Sequence, residues 1–323
     1  MNQAAASEPL LAVRDLTVEF NAGRGQKVHA VSGISFEVRK GETLGLVGES
    51  GCGKSTTARA VMQLPRPSSG SIRLNGTELT RVGDRALRAL RRRFQMIFQD
   101  PIASLNPRRR VRDIVEAPLI VAGGMSPSER LAKVEDMLGF VGLDPASAMD
   151  RRPHEFSGGQ CQRISIARAL VLEPDLLICD EPVSALDVSI QAQILNLLED
   201  MKQSMDLSML FISHDLAVVK NVSDRVAVMY LGRICEIADS RQLYAAPKHP
   251  YTRALMSAIP SPDPESPAGR PALQPGELPS PINPPSGCRF RTRCPLAVAE
   301  CSTRTPPLRE LAPGQWVACH LAA

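Results

Sequence analysis

Gly48, Gly53, Lys54 and Ser55 stand in the spacing G-x-x-x-x-G-K-S, between the apolar run TLGLVG and the helical pattern TTARAVMQL. A strand, a glycine-rich loop and a helix in that order form the context in which this motif binds phosphate. Glycine lets the backbone wrap closely. The amides of Gly51, Cys52, Gly53, Lys54, Ser55 and Thr56 can then point at phosphate oxygens, with Gly48 and Ser50 completing the loop. Lys54 would neutralise the β and γ phosphates of ATP, and the Ser55 hydroxyl would ligate Mg²⁺. Downstream, Asp175-Leu-Leu-Ile-Cys-Asp180-Glu181 reads as an apolar strand ending in two carboxylates. Successive strand side chains face opposite ways. Asp180 is therefore expected in the Mg²⁺ shell, and Glu181 beside a water aligned with the γ-phosphate, whose proton it would accept as general base.

Between these motifs, Phe156-Ser157-Gly158-Gly159-Gln160 opens another helical stretch and offers a second anion-binding helix end. In this setting the segment resembles the signature motif of ABC-transporter ATPases. The resemblance implies that Ser157, Gly159 and Gln160 complete the ATP site of a second subunit, in trans, across a head-to-tail dimer. It departs from the usual pattern at Phe156, where leucine is common, and at Cys161, where related importers carry glutamine. It further implies that Gln99 is the Q-loop glutamine touching Mg²⁺ and the attacking water. Ser184-Ala-Leu-Asp187 resembles the D-loop that crosses the dimer interface, and His214, after SMLFIS, the switch histidine on the γ-phosphate. Phe20 is the candidate for stacking on adenine.

The segments FQDPIASLNPRRRV, DEPVSALDVSIQAQILNLLEDM and NPPSGCRFRTRCPLAVAEC, with the later VACH, sharpen the likeness. Over nearly its whole length the chain resembles the ATPase subunits of dipeptide and oligopeptide ABC importers. That implies an ATP hydrolase at the cytoplasmic face of the cell membrane, working with two membrane permease subunits and a second ATPase subunit, a paralogue or a second copy. An extracytoplasmic peptide-binding protein would act with it indirectly. Ile102 replaces a tyrosine common after the Q-loop, and valine rather than threonine at Val183 resembles one of the two paralogous ATPases that such importers often pair.

The elements that must position these residues follow from hydrophobic period. LLAVRDLTVEF, VSGISFEV, TLGLVG, GSIRLNG, QMIFQ, DLLICDE, SMLFIS and RVAVMYLGRICEI read as strands alternating with helical patterns, which argues α/β. Helices are expected over 111–121 and 127–138, within a helical insert spanning about 105–165. The implied architecture is a P-loop ATPase core over 1–259 with an antiparallel β subdomain, followed by a small loop-rich C-terminal domain over 260–323. More than half of the 27 prolines fall between Pro260 and Pro313.

Composition sets the bounds. With 43% hydrophobic and 22% charged residues over 323 positions, the chain suits a soluble globular protein of about two domains. The longest run without charge, Leu311–Ala323, falls short of the roughly 20 residues a membrane-spanning helix needs. The start, MNQAAASEPLLAVRDL, lacks the pattern of a secretory signal, so a cytoplasmic chain is expected. A net charge of +4 does not argue for nucleic acid. Arginines at 85, 88 and 91–93, and at 108–110, read as a solvated face, with an acidic partner or anionic lipid as the other reading. A soluble ABC ATPase acting on nucleic acid or ribosomes is the main rival. Such proteins commonly fuse two ATPase domains or insert a long coiled coil, whereas this chain has one phosphate loop, one signature and no sustained heptads. A small-molecule kinase would have no use for the signature segment, and the acidic pair with His214 argues against a silent ATPase.

Four cysteines of the tail, Cys288, Cys294, Cys301 and Cys319, follow the pattern C-x5-C-x6-C-x17-C. In a chain expected to stay in the cytoplasm, disulfides are disfavoured. The close pairs of structural zinc sites are missing, and Cys294-Pro295 is a step seen near some iron–sulfur ligands. Zinc, with His320 as a substitute ligand, and free thiols remain open. The family resemblance implies a [4Fe-4S] ligand set. Cys52, Cys161, Cys179 and Cys235 lie in apolar or helical patterns and read as packing residues.

Overall fold

A computed structural model describes residues 8–23, 25–257 and 277–322. The expected domain boundary near 259–260 lies outside the described residues, as do much of the proline-rich stretch and the first seven residues. The chain forms two compact units, one made of Met1–Thr80 with Phe211–Ala323 and the other of Arg81–Leu210.

The first unit holds an antiparallel sheet in the order Gln26–Val38, Leu11–Gly23, Ser69–Leu74, Thr77–Glu78. Leu11 and Val13 are buried by strict alternation; the pattern then skips to Leu16 and Val18. The skip is a bulge at Asp15, which adopts φ 47° where the register with the neighbouring strand shifts. In the same unit Thr43–Val47 runs parallel to Arg225–Tyr230, Leu44 opposite Arg225 and Val47 opposite Val228. All five residues of Thr43–Val47 are buried, as a strand covered on both faces requires.

One expectation is corrected here. RVAVMYLGRICEI is not one strand: Leu231 at φ 41° and Gly232 at φ 76° form a two-residue turn joining Arg225–Tyr230 to Arg233–Asp239. The tail is loop-rich, as expected, and adds two short strands to the sheet. Arg309–Ala312 and Gln315–Val317 form a hairpin, and the second strand pairs with Arg233–Asp239, Glu236 opposite Val317. Gln315 Nε2 donates to Glu236 at 2.8 Å, and the same buried carboxylate accepts the amides of Lys248 and His249 at 2.9 Å. Burying an acid without such donors would cost several kcal/mol, roughly.

In the second unit Phe94–Ile97 runs parallel to Leu176–Asp180. The helices of the expected insert are present as Val111–Ala122 and Pro127–Phe140. The latter starts at a reciprocal cap in which Ser126 Oγ accepts from Glu129 N at 3.3 Å and Glu129 Oε2 accepts from Ser126 N at 2.6 Å. Helix Val188–Met205 buries Ile194, Leu198 and Met201, spaced one turn apart. The strand Ser208–Ser213, buried along its whole length, carries the chain back to the first unit.

Candidate functional site

The phosphate loop lies between Thr43–Val47 and the helix Lys54–Val61. Two of its glycines are dictated by space. A Cβ on Gly48, at φ 155°, would sit 2.1 Å from the Met229 carbonyl oxygen, and one on Gly53, at φ 108°, would sit 2.3 Å from that of Ala30. Lys54 is buried and folds over the loop, its Nζ donating to the carbonyls of Gly48 at 2.8 Å and Glu49 at 3.1 Å. The Cys52 amide departs from expectation: it donates within the loop, to the Glu49 carbonyl at 3.2 Å. That bond closes the turn. Burial pushes the Cys52 thiol up to about 11, so it is a packing group.

His214 in the same unit is exposed and directly follows the strand Ser208–Ser213. The next residue fixes the chain there, because Asp215 Oδ1 caps helix Leu216–Val222 by accepting from Ala217 N at 2.7 Å. Phe20 lies on Leu11–Gly23 and is 40% exposed, so its ring is not a core residue.

In the second unit the structure brings Gln99 and Glu181 together: Gln99 Nε2 donates to Glu181 Oε2 at 3.0 Å. Asp180, the last residue of Leu176–Asp180, is fully buried, whereas Glu181 is half-buried and adopts φ 49°. A non-glycine residue held in the left-handed region stores about 1–3 kcal/mol and is a recurrent mark of functional sites. Ser55 in the first unit carries a hydroxyl, and Gln99 and Asp180 in the second carry an amide oxygen and a carboxylate, each a hard donor of the kind Mg²⁺ prefers.

Ser157 caps helix Gly158–Leu170, its Oγ accepting from Gln160 N at 3.3 Å, while Gln160 Oε1 accepts from Ser157 N at 3.0 Å. Gly159 is required by close packing, since a Cβ there would lie 2.7 Å from Ile190 Cγ2. Cys161, in place of the usual glutamine, is buried with its Sγ 3.4 Å from the Pro153 carbonyl. Asp187 is exposed at the start of Val188–Met205, beside Val188, which is 82% exposed.

The ABC transporter family model matches residues 31–184, and the model of the oligopeptide/dipeptide transporter C-terminal region matches 235–301. The oligopeptide transport ATP-binding protein OppF of Escherichia coli K12 is 53% identical over 309 residues, covering 93% of this chain and 92% of its own. The chain belongs to the ABC transporter family. AppF of Bacillus subtilis, also an oligopeptide transport ATP-binding protein, is 50% identical over 326 residues, covering 98% and 99%. Among solved structures, a dimeric ATP-binding cassette, MJ0796, in a post-hydrolysis state with ADP and Pi superposes with a TM-score of 0.66 at 27% identity, over 72% of this chain and 99% of that one. CbiO1 of Clostridium perfringens gives 0.65 at 28% identity, over 74% and 92%. The fold is that of an α/β P-loop ABC ATPase, and the protein is an ATP hydrolase of that class.

In the tail of this ABC ATPase Cys301 is buried, and Cys288, Cys294 and Cys319 are half-buried. Burial, and then the neighbouring thiols, push Cys288 up to about 11. Among the described residues, no three His, Cys, Asp or Glu side chains are arranged to hold a metal ion. Cys161, Cys179 and Cys235 are buried packing thiols, as expected. Among the described residues, no helix is long and apolar enough to cross a membrane. The basic clusters are largely exposed, with Arg93 paired to Asp175 and Arg110 to Asp150, each at 2.7 Å.

Sequence reasoning missed three residues around the loop. Glu49 belongs to the phosphate loop, and Tyr251 and Arg293 hold it from distant parts of the chain. An acid in an anion-binding loop was the available signal, because it calls for a cation elsewhere.

Proposed function

We propose that this ABC ATPase is the ATP-hydrolysing subunit of a peptide importer, and that its site residues take the roles implied by the motifs. The hydrogen bond between Gln99 and Glu181 carries the catalytic part of this reading, because it presents a held carboxylate next to the buried Asp180. Glu181 accepts the proton of the attacking water, and Gln99 orients that carboxylate. Lys54 exchanges its loop carbonyls for phosphate oxygens when nucleotide binds. His214 holds the water and γ-phosphate in line, and Phe20 stacks on adenine. When bound at Ser55, Gln99 and Asp180, Mg²⁺ supplies charge neutralisation of the phosphates.

Ser157, Gly159 and Gln160 serve the nucleotide of a second ATPase subunit, with Asp187 at that interface. The dimeric state of the MJ0796 cassette and the exposure of Val188 support this. Partner permeases dock on the second unit, where Phe98, Ile102, Ile120 and Val121 are exposed apolar residues, and thereby hold the chain at the cytoplasmic face of the membrane. Peptide as cargo is supported by the whole-length relatives named for oligopeptide transport and by the matching C-terminal model. No feature favours a nucleic-acid partner. For the four tail cysteines the resemblance implies an iron–sulfur cluster, which they would hold as thiolates only after a rearrangement, since among the described residues no three His, Cys, Asp or Glu side chains are arranged to hold a metal ion.

Purification of the tagged chain from membranes, identification of the bound subunits and reconstitution into proteoliposomes test this. ATP-dependent peptide uptake is expected. A complex that hydrolyses ATP but moves no peptide of any length would overturn the cargo assignment.

A further inference from the structure

The phosphate loop contains an acid where an anion must bind. The Glu49 carboxylate is answered by Arg293, whose Nη1 donates to both of its oxygens, at 3.0 and 2.8 Å. The pair is largely shielded, with side-chain exposures of 10% for Arg293 and 26% for Glu49. The backbone amide of Glu49 is held as well, donating to Tyr251 Oη at 3.0 Å. Two further contacts reach the loop from the same unit: Gly232 N donates to the Cys52 carbonyl at 2.7 Å, and Leu278 Cδ2 lies 3.9 Å from the Cβ position of Gly51.

The base of this grip is rigid. Tyr251 is fully buried, and its ring meets Tyr230 at 4.7 Å and Phe290 at 5.3 Å between centroids; Tyr230 and Phe290 meet edge to face at 5.2 Å. Arg293 lies 5.8 Å from the Tyr230 ring centroid. Phe290 and Arg293, three residues apart, belong to the cysteine-bearing tail, so one short stretch of the tail is held both in the aromatic cluster and on Glu49.

We propose that Arg293 is a positioning residue for nucleotide binding: it neutralises and fixes Glu49, so that the C-terminal segment sets the shape and charge of the phosphate loop. This rests on the assignment of residues 48–56 to the phosphates of ATP. Without Arg293, a carboxylate is left uncompensated in the cradle and repels the incoming anion. Removing the acid together with the arginine abolishes that repulsion. A tail whose role was only to fold would show no such reciprocity.

The test is a titration of full-length protein with a non-hydrolysable fluorescent ATP analogue, alongside thermal melts. Arg293→Gln should weaken binding about tenfold. Arg293→Lys, which keeps the charge, should bind within about threefold of the parent, and the double variant Glu49→Gln with Arg293→Gln should recover to the same level. Loss in Arg293→Gln without recovery in the double variant, or unchanged binding in Arg293→Gln, overturns the proposal. Lys54→Ala serves as the separate control. If it binds normally, the phosphate-loop assignment fails; if it loses binding while Arg293→Gln does not, only the role of Arg293 fails.

Discussion

Gln99 Nε2 lies 3.0 Å from Glu181 Oε2, so the amide that follows one strand holds the carboxylate that follows its neighbour. A base is effective only when its lone pair is fixed relative to the water it activates, and this bond restricts the rotation of Glu181. The left-handed backbone at Glu181 restricts it further. Glu181→Gln keeps the size of the side chain and removes the basic oxygen. ATP binding should persist while hydrolysis falls by about 10² to 10⁴, the usual contribution of a general base. Turnover within threefold of the parent in a phosphate-release assay would exclude Glu181 as that base.

Lys54→Ala has two consequences. The ammonium that would meet the β and γ phosphates is removed, and the Gly48 and Glu49 carbonyls lose its hydrogen bonds, although Glu49 keeps that from the Cys52 amide. Equilibrium nucleotide binding, not only turnover, should therefore fall sharply. Unchanged affinity would place the phosphates elsewhere.

Ser157→Arg should abolish hydrolysis and leave nucleotide binding to the isolated monomer nearly intact, because Ser157 is proposed to serve a neighbouring subunit. The cap it now makes, Ser157 Oγ to Gln160 N at 3.3 Å, is worth about 1 kcal/mol and its loss alone would not unfold the chain. Equal loss of monomer binding would show that the segment acts in cis.

What was legible in the sequence was local. The strand, loop and helix around Lys54 and the acidic end of Leu176–Asp180 are read within a dozen residues, because glycine spacing and apolar runs act over short range. The insert helices 111–122 and 127–140 were visible for the same reason. The hairpin at Leu231-Gly232 was hidden, since apolar residues continue on both sides and only backbone sign separates the strands. The tail strands were illegible because Gln315–Val317 finds its partner in Arg233–Asp239, far back in the chain. Glu49 and Arg293, 244 residues apart, are a further case, for nothing in the periodicity of either segment names the other.

For the tail cysteines, anaerobically purified protein should be brown and contain iron and acid-labile sulfide near about four of each per chain. Cys294→Ser should lose the colour and expose the tail to faster proteolysis. Colourless protein carrying one zinc per chain would move the site to zinc, and metal-free protein with a protease-resistant tail would dismiss both metals.

His249 gives the pH dependence of stability. It is buried beside Phe290, 5.9 Å between centroids, with Nδ1 accepting the Tyr251 amide at 3.0 Å, and burial lowers its pKa from 6.5 to about 3. The folded state thus keeps the imidazole neutral while the unfolded chain takes up a proton below pH 6.5. Between about pH 6.5 and 3 the unfolded state binds more protons, so stability must fall as pH falls, by up to about 1.4 kcal/mol per pH unit, and be independent of this group above 6.5. Glu78, lowered from 4.5 to about 2 although burial opposes it, because Ser71 and Thr80 hydrogen-bond its carboxylate, loses stability in the same direction only at lower pH. The window from pH 6.5 to 4.5 therefore isolates the histidine. Urea melts across that window should show the slope in the parent and a flatter profile in His249→Gln, with the other four histidines left in place. Equal slopes in both proteins would mean that His249 is hydrated or protonated in the folded state, contrary to its burial in the aromatic cluster beneath the phosphate loop.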